Sequence, residues 1–272
     1  LLASSAASDV YKRQGEGDAY HNRCMSLVKV LSEYILSLGQ EAYIPNFFCK
    51  AYRPVLYIPS KEEVKELLQK MDIRTSHNSE QFRLDRECKI LFLLYFCCGL
   101  RLSEGRLLKW EHIDLDKGIL TVLGSKGNKD RLVYLPQDSL PVLKNYKERQ
   151  EMLFPGIDWA FPGKDPHKPV SCSGVESSFN RHWAMLPVAR TVDKHPTPHC
   201  LRHAFVVERF NEWMHQGIDT NTMLPYLSRY LGHKSPDETY YYYHLVEKAF
   251  DTIREKDSVS GKVIPEVIPY EE

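Results

Sequence analysis

The sequence predicts a mainly α-helical protein of the α+β class, in which a large helical domain contains a small antiparallel β-sheet and follows a helical N-terminal remnant. Apolar residues recur at intervals of three and four along most of the chain, which is typical of amphipathic helices. Residues 119–123 and 131–135 have strand-like composition instead, and the segment between them, centred on residues 126–129 (KGNK), indicates a hairpin. The 272 residues suffice for one large domain or two modest ones.

The first part of the chain is expected to hold a leader, one helix and a linker. Residues 1–14 are rich in Ser and Ala and lack an initiator Met, so we interpret them as an artefactual or disordered leader. Residues 18–38 place apolar side chains at helical spacing as far as Gly39, a common helix stop. Three prolines over residues 43–59 indicate a linker. We therefore assign residues 15–54 to a partial N-terminal domain whose beginning is missing.

Residues 55–257 are expected to form the larger domain, with clear signals at helix ends. Ser60 and Glu63 make a capping box that opens a helix ending near Met71. A helix over 79–98 ends at Gly99 and carries the longest apolar run, which is too short for a membrane span of roughly 20 residues. The remaining predicted helices, with a flexible tail after them over 258–272, cover residues 103–109, 139–152, 174–185, 197–215, 221–231, 235–243 and 246–255.

Composition and charge narrow the class of protein. The chain is 43% hydrophobic and 26% charged, which is ordinary for a soluble globular protein. The 36 basic residues balance the 36 acidic ones, but acidic residues gather in the C-terminal tail and leave residues 83–131 and 181–203 locally basic. A local positive face is enough for contact with phosphates. Seven cysteines, without a CxxC pair, fit a reducing cytoplasm better than a disulfide framework.

Five short motifs supply the residue types that metal-free cleavage of a phosphodiester requires. Such a reaction needs arginines to neutralise the phosphoryl oxygens, a hydroxyl nucleophile and a proton donor for the leaving oxygen. The motifs and their candidate residues are GLRLSE with Arg101 and Glu104, KGNK with Lys126, HCLRH with His199 and Arg202, LGH with His233, and four consecutive tyrosines that include Tyr242.

The order and spacing of these motifs resemble the tyrosine recombinase, or phage integrase, family. The match covers about residues 56–255, with a tyrosine nine residues after the His of LGH. The resemblance implies that residues 55–257 are a catalytic domain. It also implies that residues 15–54 are part of a helical core-binding domain that would clamp DNA.

The resemblance implies a role for each residue around the phosphate. Arg101 and Arg202 would hold the scissile phosphate. His199 would assist as an acid/base or as a further phosphate contact, and His233 would position the phosphate or the nucleophile. Glu104 would support these groups.

The resemblance also implies the roles at the two reacting oxygens. Tyr242 would attack the phosphorus, giving a 3′-phosphotyrosine and a free 5′ hydroxyl. Lys126 would protonate the 5′ oxygen, although Lys129 on the other side of the turn stays an alternative for this role. Lys129 and Arg131 would contact DNA. The spacing from His233 favours Tyr242 over its neighbours, which are expected to pack or to touch DNA.

The implied function is site-specific DNA recombination for a mobile genetic element, without a metal or other cofactor. Its partners would be double-stranded DNA at a specific site, three further copies in a homotetramer on paired sites, and accessory directionality factors, in the cytoplasm and away from membranes. Two alternatives are type IB topoisomerase-like relaxation and a DNA-binding relative that no longer cuts. His199 and His203 could form a zinc pair, but no further ligand cluster adjoins them, and His203 is expected to be a packed or supporting residue.

Overall fold

The computed structural model describes residues 17–46, 48–49, 57–73, 78–125, 129–192 and 195–243. The chain divides into two compact units, Leu1–Val55 and Leu56–Glu272. The predicted leader over 1–14, the helix over 246–255 and the tail over 258–272 lie outside the described residues. None of the described helices is long and apolar enough to cross a membrane.

The first unit contains helix α1 (Asp18–Ser37), which confirms the helix predicted over 18–38. It ends at Leu38, and Gly39 follows with φ 75°, a conformation that favours glycine. The side chain of Asn22 donates to the carbonyl of Cys49 at 2.7 Å and accepts from its amide at 2.8 Å. This pair ties the segment after the helix back to its first turns.

The second unit is mainly helical and encloses the sheet. Its first helices, α2 (Lys61–Lys70) and α3 (Ser79–Cys98), begin at the capping box of Ser60 and at Asn78, whose side chain accepts from two backbone amides. The later helices are α4 (Leu102–Arg106), α5 (Leu140–Leu153), α6 (Cys172–Trp183), α7 (Cys200–His215), α8 (Thr220–Leu231) and α9 (Asp237–Tyr243). Short 3₁₀ turns occupy Trp110–His112, Gln137–Ser139 and Pro187–Arg190.

The described strands form an antiparallel sheet in the order β1 (Ile113–Asp114), β2 (Ile119–Ser125) and β3 (Lys129–Tyr134). The predicted hairpin is confirmed, with Thr121 opposite Leu132, and a bulge interrupts the register between Val122 and Ser125. Strand β1 was not predicted, because two residues are too few to produce an alternating pattern. The mainly helical fold with a small antiparallel sheet agrees with the expected class.

Two helix boundaries differ from the prediction by three residues, and both differences have local reasons. Helix α4 stops at Arg106 rather than near residue 109, because Leu108 and Trp110 pair their backbone with the 158–160 segment instead. Helix α7 begins at Cys200 rather than at residue 197. The amide of Cys200 donates to the carbonyl of Thr197 at 2.9 Å, so the chain enters α7 through a tight three-residue turn.

Helix α3 lies at the centre of the main core. Its Phe92 ring meets Phe179 of α6 edge-on at 5.7 Å, and Phe179 stacks on Trp183. A second, smaller core packs α7, α8 and α9 together. Its buried members are Phe205, Val206, Phe210, Leu224, Leu227, Leu231 and Tyr242. The short helix α9 is therefore stabilised by packing its apolar face into this core.

We expect Gly99→Ala to destabilise the fold more than Gly156→Ala. Both glycines have positive φ, 63° and 71°, so alanine costs about 1–2 kcal/mol at either position. At Gly99 a Cβ atom would also lie 2.6 Å from Cδ1 of Phe205, whereas nothing lies within 4 Å at Gly156. Overpacking adds roughly 1–3 kcal/mol. Urea unfolding of both variants measures the difference, and equal losses would contradict the close approach of α3 and α7.

Candidate active site

The site begins where α3 ends and α4 starts. Gly99 closes α3 in the left-handed conformation, and Arg101 becomes the N-cap residue of α4. Glu104, in the first turn of α4, accepts from the backbone amide of Arg101 at 2.8 Å and from its Nη1 at 2.8 Å. The predicted support of Arg101 by Glu104 thus has a direct geometric basis.

Strand β3 adds a second arginine to the same carboxylate. Arg131 donates from Nη1 and Nη2 to the two oxygens of Glu104, at 2.9 and 2.7 Å, and from Nε to the carbonyl of Tyr230 at 2.8 Å. Burial alone would raise the pKa of Glu104, but the hydrogen bonds from Arg131 and Arg101 and the charge of Arg131 outweigh it and lower the pKa to about 2. Glu104 is therefore ionised at neutral pH.

Two helix ends supply the remaining anchors of the arginines. Arg202, only 2% exposed, donates to the carbonyls of Gly99 and Leu231, and Arg101 donates from Nη2 to the carbonyl of Gly232 at 2.7 Å. Gly232 ends α8 with φ 69°, as Gly99 ends α3. Carbonyls at helix C-termini carry partial negative charge. Burial, and then the charge of Arg101, lower the pKa of Arg202 to about 10, so it stays cationic at neutral pH.

His233 joins Arg202 to the helix that carries the tyrosines. Arg202 Nη2 lies 3.0 Å from His233 Nε2, and His233 Nδ1 lies 2.7 Å from the hydroxyl of Thr239 in α9. An arginine can only donate, so Nε2 accepts and the ring proton belongs on Nδ1. Burial, and then the charge of Arg202, lower the pKa of His233 to about 4. The imidazole is therefore neutral in this arrangement.

Tyr242 points into the protein and meets a histidine. It is 5% exposed, and its hydroxyl lies 2.6 Å from Nδ1 of His203. Tyr240 and Tyr241 are 43% and 39% exposed. Burial raises the pKa of Tyr242 to about 12, against the lowering effect of the charge of Arg202. In the run of four tyrosines, the structure describes three side chains, and Tyr242 is the buried one of these three.

The structure brings most of the predicted residues together. Hydrogen bonds pair Arg101 with Glu104 and Arg202 with His233, and both arginines donate to backbone carbonyls at the end of α8. The ring of His199 meets that of His203 edge-on, with centroids 4.6 Å apart. Burial, followed by the charges of Arg202 and Arg101, lowers the pKa of His199. Within the described part of the chain, no three His, Cys, Asp or Glu residues stand close enough together to hold a metal ion.

The hairpin residues fare differently. Lys126 lies outside the described residues, and for Lys129 the structure gives the backbone, at the start of β3, but not the side chain. Arg131, predicted to contact DNA, is engaged with Glu104, and its side chain is 9% exposed. Its contact with DNA stays a prediction. The sequence carried no sign of its pairing with Glu104, because the two residues are 27 positions apart and follow no shared motif.

The sequence matches one family model and curated proteins of related sequence. The family model described as the phage integrase family matches residues 60–249. The tyrosine recombinase XerC of Alcanivorax borkumensis is 30% identical over 246 residues, which are 90% of this chain and 74% of that protein.

Solved structures share the fold at lower identity. The XerH site-specific recombinase bound to palindromic difH substrate, a post-cleavage complex, has a TM-score of 0.67 at 22% identity, over 89% of this chain and 66% of that one. The Tn1549 transposon integrase in complex with circular intermediate DNA has a TM-score of 0.64 at 15% identity, over 90% and 80% of the two chains. The matched part of this chain spans 66% to 80% of the length of these three proteins.

We expect Glu104→Gln to destabilise the protein at neutral pH, because two arginines lose their anion. Removing one partner of a buried ion pair costs roughly 3–5 kcal/mol. The folded pKa of Glu104, about 2, lies below its ordinary value of 4.5. The ionised Glu104 therefore makes its full contribution to the free energy of unfolding at pH values above its ordinary pKa. This contribution is lost as the pH falls toward the pKa of the folded state.

Urea unfolding of wild type and variant at several pH values tests this expectation. The difference between their free energies of unfolding should become smaller as the pH drops below 4.5, the ordinary pKa of a glutamate. Glu111→Gln is the matched control, since Glu111 is an exposed residue 3.5 Å from Lys109 Nζ and such pairs contribute about 0–1 kcal/mol. A gap for Glu104→Gln no larger than that of the control would refute the structural role.

Proposed function

The chain belongs to the phage integrase family, the tyrosine recombinases, and from this membership we propose that it cuts and rejoins DNA at specific sites with Tyr242 as the nucleophile. The family match covers most of the second unit. The observation that carries the residue assignment is the meeting of two arginines and a histidine at the end of α8, where Arg101 and Arg202 donate to neighbouring carbonyls. His233 contacts Arg202 and also Thr239 on α9, the helix that carries the buried Tyr242.

The arginines suit the phosphate. Negative charge grows on the non-bridging oxygens as a fifth bond forms at phosphorus, and fixed guanidinium groups stabilise it without reorganising. Arg101 and Arg202 are held at the ends of α3 and α8 by backbone carbonyls and, for Arg101, by Glu104. Their positions are therefore set before DNA arrives. His199 stands beside them as a further phosphate contact. His233, which bonds to Thr239 on the helix that carries Tyr242, helps to position the nucleophile.

The reaction then has two balanced halves. Tyr242 Oη bonds to phosphorus while the P–O5′ bond breaks, leaving a 3′-phosphotyrosine and a 5′ hydroxyl. Attack by the 5′ hydroxyl of another strand reverses the step and joins that strand. Lys126, or Lys129 in its place, would give a proton to the departing 5′ oxygen. The covalent link stores the energy of the broken bond, so rejoining requires no nucleotide.

The partners follow from the family. We propose double-stranded DNA at a specific site, recombination of a mobile element, and a homotetramer on paired sites with accessory directionality factors, in the cytoplasm. XerH and the Tn1549 integrase have each been solved with DNA. Residues 15–54 would act as a DNA clamp, with Lys129 and Arg131 as further DNA contacts. The similarity to recombinases and integrases does not favour type IB relaxation.

Tyr242→Phe should abolish covalent attachment to DNA. The probe is a DNA site nicked close to the cleavage position, so that a short fragment diffuses away after cleavage and the phosphotyrosine persists. Wild type should give a protein–DNA band that resists denaturation. Tyr240→Phe and Tyr241→Phe are the matched controls and should keep the band, because neither side chain is buried as Tyr242 is. A band that survives Tyr242→Phe would disprove the assignment.

Lys126→Ala should slow cleavage of ordinary DNA by roughly 10²–10⁴-fold, the usual contribution of a general acid. The cleavage rate of the same variant should recover on DNA in which sulphur replaces the 5′ bridging oxygen, because a thiolate leaves without a proton. Lys129→Ala is the matched control from the same turn. Rates of adduct formation on both substrates decide between the lysines. Recovery by Lys129→Ala alone would transfer the role to Lys129.

A further inference from the structure

We propose that His203 is the proton acceptor for the nucleophile, a catalytic role beyond those the family motifs assign. The inference rests on the proposed function, since it names the group that activates Tyr242. His203 follows Arg202 directly on α7, and its Nδ1 lies 2.6 Å from Tyr242 Oη. The two rings are tilted by 39°, with centroids 5.3 Å apart. A base must reach the proton it takes within about 2.6–3.2 Å, and His203 meets this condition.

The surroundings of His203 keep it neutral before DNA binds. It faces His199 at the N-cap of α7, Arg202 on α7 itself, His233 after α8, and Tyr242 on α9. Burial lowers the pKa of His203 to about 3, and the neighbouring His199, Arg202 and His233 act in the same direction, Arg202 through its permanent charge. A neutral imidazole has one nitrogen with a free lone pair. With the ring proton on Nε2, that lone pair on Nδ1 accepts the hydrogen bond from the protonated Tyr242.

DNA changes this balance in the direction that the reaction requires. A phosphodiester held by Arg101 and Arg202 brings negative charge beside the cations that depress the pKa of His203, so the basicity of His203 rises when the substrate is in place. In the cleavage step the Oη–P bond forms, the phenolic proton moves to Nδ1 of His203, the P–O5′ bond breaks, and the 5′ oxygen takes a proton from the lysine. In the reverse step His203 returns its proton to the departing Tyr242.

The same contact explains how Tyr242 is oriented. Helix α9 is short. It packs against the protein through Tyr242 in the second core, and its Thr239 is hydrogen-bonded to His233. The Tyr242 hydroxyl is hydrogen-bonded to His203. The acceptor therefore stands on the helix that also carries Arg202, so one rigid element aligns both the phosphate and the attacking oxygen.

The test is single-turnover adduct formation on the nicked site with His203→Asn, whose Oδ1 can accept the hydrogen bond but not the proton. The matched control is His215→Asn, at the exposed end of the same helix. We expect His203→Asn to be slower by about 10²-fold or more, with unchanged thermal melting, and the control to match wild type. The loss should persist on the 5′-sulphur substrate, because the defect lies at the attacking oxygen and not at the leaving one.

Two further readouts separate proton transfer from a structural role. The wild-type rate should rise with pH to a plateau, whereas the His203→Asn rate should keep rising because hydroxide becomes the acceptor. In His203→Ala, free imidazole added to the solution should restore part of the rate, which also covers the case in which the Asn variant folds poorly.

The outcomes distinguish the inference from the proposed function. An adduct that forms through Tyr242 at an unchanged or higher rate in His203→Asn overturns the role of His203 and leaves the proposed function intact. Recovery of His203→Asn on the 5′-sulphur substrate also overturns it, since His203 would then serve the leaving group. A wild-type protein without any adduct, or an adduct that survives Tyr242→Phe, overturns the proposed function and the inference together.

Discussion

The carboxylate of Glu104 is shared by two guanidinium groups, and the position of the other charged groups depends on this sharing. Arg101, Arg131 and Arg202 approach one another in a largely buried space, where like charges repel strongly. Glu104 accepts from Arg101 and Arg131, and these two arginines also bond to carbonyls at residues 232 and 230. Through these two arginines, one anion links the start of α4, the second strand of the hairpin and the end of α8.

Backbone carbonyls, which carry no net charge, stabilise the charge of Arg202. Arg202 is bound by the last carbonyls of two helices, whose dipoles favour a cation without adding an acidic side chain. An acidic side chain at that position would repel a phosphate. The left-handed glycines at 99 and 232 end both helices abruptly, which brings the two carbonyl ends to the same guanidinium. The placement of a phosphate-binding arginine therefore depends on two glycines that never touch substrate.

Local sequence signals predicted many helix ends, but they did not predict contacts between residues far apart in the sequence. The capping box at Ser60 and the stop at Gly99 fixed helices to within a residue or so, because capping depends on neighbours in sequence. The motif order indicated Arg101, Arg202, His233 and Tyr242, which the fold brings together. Arg131 was expected to face DNA and its bond to Glu104 was not foreseen, since nothing local links a strand residue to a helix 27 positions away. His203 was taken for a supporting residue, because its partner on α9 is 39 residues further along.

His233 uses both ring nitrogens, one for Arg202 and one for Thr239, and carries a single proton between them. An anion that draws Arg202 away frees Nε2, and a movement of α9 frees Nδ1. Each event changes a different nitrogen of the same ring. A nitrogen-15 NMR spectrum of this one side chain would therefore report, on separate signals, when the arginine pocket fills and when the helix that carries Tyr242 undocks.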